Sequence, residues 1–164
     1  MIDLEIGEVN KKVLPEFSVI GKEGTGLAEK GSLWVPKLWD EVNQQFDELI
    51  AIVEPAVFSS VDMWGLMSDE TTWLDPWKET GRYLAGIQFP TEVVAPIGWQ
   101  RWVIPAMEYE VVKTDADHLD KITENMLTKV LPEKEESLVA AIQEHYLPDF
   151  KSGEVELYFP VKIL

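Results

Sequence analysis

In "VPKLWDEVNQQFDELIAI", residues 35–52, Trp39, Val42, Phe46, Leu49 and Ile50, followed by Val53, recur at intervals of three, four and seven. That spacing puts them on one stripe of a helix, opposite Lys37, Asp40, Glu41, Gln44, Asp47 and Glu48. Pro36 suits a first helical turn, and Pro55 marks the far limit. Leu119, Ile122, Met126, Leu127 and Val130 repeat the pattern, with Asp115 or Asp117 as the cap and Pro132 as the limit. Both helices are apolar on one side only, so each is predicted to lie on a sheet. The remaining segments read as strands, at about 14–21, 59–67, 82–89, 102–113, 137–146 and 154–163. "SLVAAIQEHY" also admits a short helix, since Ala and Glu favour one. A strand is preferred because a turn containing Gly153 and the strand "VELYFPV" follow it.

In order, these elements read strand, helix, strand, strand, and then the same again. "LPEFSVIG" pairs with "IPAMEYEVV", "VDMWGLM" with "LVAAIQE", and "YLAGIQF" with "VELYFPV". The prediction is an α+β fold in a single domain of residues 1–164, a tandem βαββ repeat with pseudo-twofold symmetry. The repeats run from about 13 to 90 and from about 102 to 164, in one antiparallel sheet with helices on one face and a ligand groove on the other. "SDETTWLDPWKETG", residues 68–81, is a long insertion that carries Trp73 and Trp77 and is placed to fold over the groove.

The strand from 154 to 163 sets Val155, Leu157, Phe159, Val161 and Ile163 on one face, towards the helices, and Glu156 and Tyr158 on the other. A hairpin centred on Lys151 sets Tyr146 opposite Glu156 and Glu144 opposite Tyr158. Two carboxylates and two phenols then share a face with Ala140 and Ile142. Such a surface suits a flat or lipophilic cation, held by charge pairing and by cation–π contacts of roughly 0.5–2 kcal/mol each. The competing reading is an ordinary wet face of an antiparallel sheet, with both glutamates solvated. In the same register His145 faces the helices as a buried structural group. Trp64 either packs beneath a helix or lines the groove; Trp39, Phe46 and Leu49 read as core.

Composition narrows the functions. Thirty acidic against 14 basic residues leave a formal net charge of −16, a field that repels phosphate backbones and anionic lipid heads and draws cations to concave sites. Direct nucleic-acid binding is not expected. Without cysteine there are no disulfides, thiolate nucleophiles or cysteine metal sites, and His118 and His145 form no metal-spaced pair. No signal segment or membrane span is read, so a cytoplasmic protein is expected, with no cofactor and no metal.

"SLVAAIQEHYLPDFKSGEVELYFPV", with "YLAGIQF" and "WVIPAMEYEVV", resembles the gyrase-inhibitor-like (GyrI-like) small-molecule binding family, which includes effector-binding domains of bacterial transcription activators. The resemblance spans about residues 14–163 and rests on the ordered set "IPA..Y", "QE.Y" and "LYFP". It implies a duplicated strand–helix–strand–strand fold that binds drug-like, often cationic aromatic molecules through aromatic side chains and a buried glutamate. That glutamate falls on Glu144. Glu156 and Tyr158 match an acidic-then-aromatic arrangement of some relatives, and Tyr109 follows "IPA". Tyr146, Trp64, Trp73 and Trp102 complete the expected ligand-binding set. Met107, Glu108 and Glu110 replace the small residues common around that tyrosine. Some stand-alone relatives hydrolyse strained-ring alkylating natural products, which would make Glu144 a general base. A third expectation is inhibition of a protein partner through the acidic surface. A homodimer or a separate regulator protein is the other partner considered.

Overall fold

A computed structural model describes residues 7–51, 62–146 and 153–164. Eight strands form one antiparallel sheet: β1 (Val9–Leu14), β2 (Phe17–Leu27), β3 (Met63–Asp69), β4 (Thr80–Phe89), β5 (Gln100–Ile104), β6 (Met107–Thr114), β7 (Gln143–Tyr146) and β8 (Val155–Ile163). Helices α1 (Gly31–Gln44) and α2 (Phe46–Ile50) follow β2, and α3 (Leu119–Asn125), a π turn (Met126–Val130) and α4 (Leu131–Glu133) follow β6. The α+β class, the duplicated order and the single antiparallel sheet agree with the sequence reading.

The strand order is β1-β6-β8-β7-β3-β4-β2-β5. Exchanging β1 with β5, β2 with β6, β3 with β7 and β4 with β8 reproduces this order reversed, so the pseudo-twofold axis passes between β3 and β7. Each half has one more strand than expected. The predicted strand at 102–113 is divided by Pro105 and Ala106 into β5 and β6, and that at 14–21 begins beyond Pro15, with β1 before it. Proline cannot donate to a ladder and so ends a strand.

These prolines also shape the sheet. Two residues link β1 to β2, and two link β5 to β6. Such a connection reaches roughly 11 Å. β1 and β2 are six strand spacings apart, roughly 29 Å in a flat sheet. The sheet must therefore curl until its ends meet. The face away from the helices becomes an enclosed core in which Phe17, Val19, Trp102 and Ile104 from one end join Met107, Tyr109 and Val111 from the other. Where a groove was predicted, the sheet curls, and side chains fill most of the hollow.

The outer face carries the helices in two separate cores. Leu38 and Val42 of α1 pack with Leu49, Ile20, Tyr83, Ala85 and Ile87. Met126 and Leu131 pack with Val112, Val155, Leu157 and Phe159. The face predicted for the last strand is thus observed. Helix α1 starts at Gly31, before the expected position, so Pro36 lies inside it and denies a donor to the Ser32 carbonyl. Neither Asp115 nor Asp117 caps α3: its N-cap is His118, with no side-chain cap bond, and Asp115 Oδ1 instead accepts the His118 N–H at 3.0 Å in the turn before it. Val53, Pro55, residues 59–61 and the Lys151 turn lie outside the described residues.

The insertion at 68–81 divides its aromatic residues between the faces. Asp69 organises it: Oδ2 accepts from the Thr71 hydroxyl (2.7 Å), Thr71 N–H and Thr72 N–H, and Oδ1 from Lys78 N–H. Led by the Thr71 hydroxyl, these donors hold the carboxyl down at about 2. Leu74, at φ 63°, enters the curled core, and its carbonyl accepts the Ala141 N–H at 2.6 Å. Trp73 meets Trp102 edge-on at 4.8 Å, whereas Trp77 turns to the helix side and stacks on Trp34 at 5.3 Å. The insertion is a plug through Leu74, not a cover carrying both tryptophans. Leu74→Ala is expected to lower stability by roughly 2–4 kcal/mol in chemical denaturation, the usual result of emptying a buried leucine site.

Candidate functional site

Strand β7 is four residues long, and its register decides which groups meet. Gln143 pairs with Tyr158, Glu144 with Leu157 and His145 with Glu156. This is one residue away from the register expected from the sequence, and a slip of one exchanges the faces of a strand. Glu144 and Tyr146 therefore point to the helix side, while His145 points into the curled core with Glu156 and Tyr158. The expected register carried a period-two pattern back to residue 137. Residues 137–142 form no strand, however, so Ala140 and Ile142 say nothing about the direction of Glu144.

The other side of β7 explains where Glu144 fits. Its partner across β3 is Gly65. A Cβ on Gly65 would lie 1.8 Å from the Tyr83 hydroxyl oxygen and 2.6 Å from Glu144 Oε1. The missing side chain is the space in which the two residues meet: Tyr83 donates to Glu144 Oε1 at 2.5 Å, and Tyr146 donates to the same oxygen at 3.2 Å. Trp39 Nε1–H donates to the Tyr83 oxygen at 3.1 Å, which commits the phenol proton to the carboxylate. The Trp39 ring also meets that of Tyr146 edge-on at 5.4 Å. Glu144 Oε2 accepts no hydrogen bond among the described residues, and Glu144 keeps part of its surface accessible. Burial raises its pKa above the usual 4.5, and the two phenols oppose the shift without cancelling it. The Tyr83 and Tyr146 phenols are pushed up, first by burial and then by the adjacent carboxylate, and stay protonated.

The result is an acid with one free oxygen beside the pseudo-twofold axis, between two phenols and an indole. Of the ligand-binding residues expected from the sequence, only Glu144 and Tyr146 are here. Tyr83 was missed, and Trp39 was read as core alone. The available signal was Gly65, since a glycine inside a strand marks a close approach.

Of the other six, five are buried on the curled side of the sheet, whereas Trp73 stays 45% exposed at its edge. Trp64 packs on Phe17 at 4.9 Å, Tyr158 at 5.0 Å and the His145 ring at 4.4 Å, and its Nε1–H donates to Gln88 at 2.8 Å. Tyr109 meets Tyr158 at 5.3 Å. Trp102 donates to Glu23 at 2.6 Å and meets Trp73. His145 is buried as expected but on the opposite side, with Nδ1 2.8 Å from Glu156 Oε1 and Nε2 2.8 Å from Asp62 Oδ1. Burial pulls its pKa down, but the bonds to Asp62 and Glu156 carry it above the usual 6.5. Burial pushes Glu156 up, and the bond to His145 outweighs this and holds it below 4.5.

These opposite shifts fix a pH window. A raised histidine stabilises the fold fully below its unfolded value of 6.5, and the effect fades as pH rises through its folded pKa. A lowered glutamate contributes above 4.5, and that contribution fades as pH falls through its folded pKa. The melting-temperature difference between the natural chain and His145→Asn is therefore expected to peak between 4.5 and 6.5 and to shrink in alkaline buffer.

No group of three or more His, Cys, Asp or Glu among the described residues could hold a metal ion, and no described helix is long and apolar enough to cross a membrane.

The curled duplicated sheet is the fold of a class of small-molecule binding domains. The chain belongs to the GyrI-like family: the model of the GyrI-like small molecule binding domain matches residues 7–162. No curated protein sequence matches the chain. Among solved structures, SAV2435 bound to tetraphenylphosphonium is similar, with a TM-score of 0.68, 10% identity and 94% of each chain covered. An integron cassette protein from Vibrio cholerae has a TM-score of 0.63 and 11% identity over 98% of this chain and 100% of its own. The C-terminal domain of EcmrR has a TM-score of 0.62 and 17% identity over 96% of this chain and 98% of its own. At these identities the likeness establishes the fold.

Proposed function

We propose that the Glu144 cluster receives a small lipophilic aromatic cation, in order to sequester or to sense it. The observation that carries this reading is the division of labour at the carboxylate. Two phenols hold Oε1, while Oε2 is left for a guest in surroundings that resist ionisation. A cation relieves that resistance, since a nearby opposite charge favours the ionised form. The Tyr146 and Trp39 rings add stacking and cation–π surface beside it. The net charge of −16 favours the approach of a cation. A similarly folded relative has been solved with tetraphenylphosphonium, a ligand of this chemistry.

The test is a titration of tryptophan fluorescence with tetraphenylphosphonium against neutral triphenylphosphine oxide. The cation is expected to bind at least about tenfold more tightly, or ~1.4 kcal/mol. Equal affinities would remove the role given to the charge.

The raised pKa of Glu144 also favours a second reading, in which Glu144 is the general base in water attack on a strained cyclopropane-type alkylating compound. Then Glu144→Gln retains the compound but lowers its disappearance to the rate without protein. If the natural chain itself gives no acceleration, that reading is excluded.

A further inference from the structure

Strand β7 meets β3 over only three residue pairs, the last of which is Gly65 with Glu144. Two residues further on, the ladder would set the backbone of Ile142 opposite Met67. The chain has left the sheet by then: residues 137–142 form no strand, and the Ala141 N–H donates to the Leu74 carbonyl of the plug at 2.6 Å. The side chain of Gln143 takes the empty place. Its Oε1 accepts the Met67 N–H at 2.7 Å, and its Nε2–H donates to the Met67 carbonyl at 3.4 Å. One carboxamide thus supplies the donor and the acceptor that a residue of an antiparallel ladder exchanges with its partner. Gln143 is 0% exposed, so it cannot trade these bonds for bonds to water.

A backbone pair would form with any side chain, whereas this pair selects a register. A slip by one residue puts a neighbour of Gln143 in its place. Ile142 offers Met67 neither a donor nor an acceptor, and an ionised Glu144 offers the Met67 carbonyl no donor. Either slip also turns Glu144 to the curled side of the sheet. The same clamp acts on both partners of the site. Glu144 follows Gln143 directly, and Met67 stands opposite Tyr83 on the other side of β3. Tyr83 and Glu144 then meet over Gly65.

We infer that Gln143 is the positioning residue of the Glu144 cluster: its carboxamide completes the pairing of β3 with β7 and so holds Glu144 on the helix side, within reach of Tyr83 and Tyr146. The role follows from the sheet geometry; only its effect on affinity rests on the cation reading given to Glu144.

Carbon-13 NMR of the full chain labelled at tyrosine Cζ tests this, because that carbon responds to the hydrogen bond of its phenol. The chain has four tyrosines, so the signals of Tyr83 and Tyr146 are assigned by Tyr83→Phe and Tyr146→Phe. Gln143→Met keeps the length of the side chain and loses both bonds, and Gln143→Asn keeps the carboxamide but is one carbon too short. Both are expected to shift the Tyr83 and Tyr146 signals and to leave that of Tyr109 in place. Leu131→Ala, in the core beneath the second group of helices, is expected to lower stability without shifting either signal. Both Gln143 variants are expected to bind tetraphenylphosphonium at least about tenfold more weakly. Unmoved Tyr83 and Tyr146 signals in the two variants overturn the inference. So does a shift of all four signals together or the loss of the whole fold, either of which would make Gln143 an ordinary core residue. Failure of the natural chain to bind tetraphenylphosphonium would remove the cation reading and leave the tyrosine signals to decide the role of Gln143.

Discussion

Glu144→Gln is expected to weaken tetraphenylphosphonium binding by at least about thirtyfold, ~2 kcal/mol, while leaving the free protein as stable as before or more so above neutral pH. The two halves of this result have one cause. Burial raises the pKa of Glu144, so the ionised side chain opposes folding at high pH, and a neutral amide does not. The amide oxygen can still accept from Tyr83 and Tyr146, so the local geometry has no reason to change. Binding loses the charge facing the cation, and removing one partner of a desolvated pair typically costs 2–5 kcal/mol. Thermal melts at pH 8 and fluorescence titrations on the same sample check both halves. A variant that loses affinity because it has partly unfolded would melt lower, so the melt separates this trivial outcome from the expected one.

How much of this was legible in the sequence depended on the length of the pattern. Helices α1 and α3 and strands β4 and β8 declare themselves over seven or more residues, enough for a period of 3.6 or 2 to stand out. The order of those elements was enough to reveal the duplication. β7 has only four residues, and the irregular chain before it imitates alternation through Leu138, Ala140 and Ile142. Its direction is set by pairing with β3 across the axis, which no local pattern records. That single strand decides whether Glu144 or His145 joins Tyr158, so the residues of the site were recognised while their grouping was not. That the two ends of the sheet meet was likewise hidden, because it follows from Pro15 and Pro105 lying between strands that are far apart in the sheet order. Tyr83 escaped for a related reason: in sequence it is one of many aromatic strand residues, and only the gap at Gly65 distinguishes it.

That gap supports the second large effect. Gly65→Ala is expected to lower stability by roughly 1–3 kcal/mol, as overpacking does, and to weaken cation binding about tenfold or more. The new methyl would have to share space with the Tyr83 hydroxyl and Glu144 Oε1. Tyr83 is only 2% exposed, so it has little room to retreat, and the bond between it and Glu144 is expected to yield first. A merely local backbone effect of alanine predicts otherwise, and the pair with Tyr83→Phe distinguishes the two. Tyr83→Phe alone removes a hydrogen bond to a charged group, roughly 1.5–3 kcal/mol. In the double variant the clashing oxygen is gone, although the ring carbon that bore it, 2.6 Å from the new methyl, still crowds the site. The combined loss in urea denaturation should therefore fall short of the sum of the single losses by at least about 0.5 kcal/mol, the sign of residues in direct contact. Strict additivity would mean that Gly65 does not hold the space in which Tyr83 reaches Glu144.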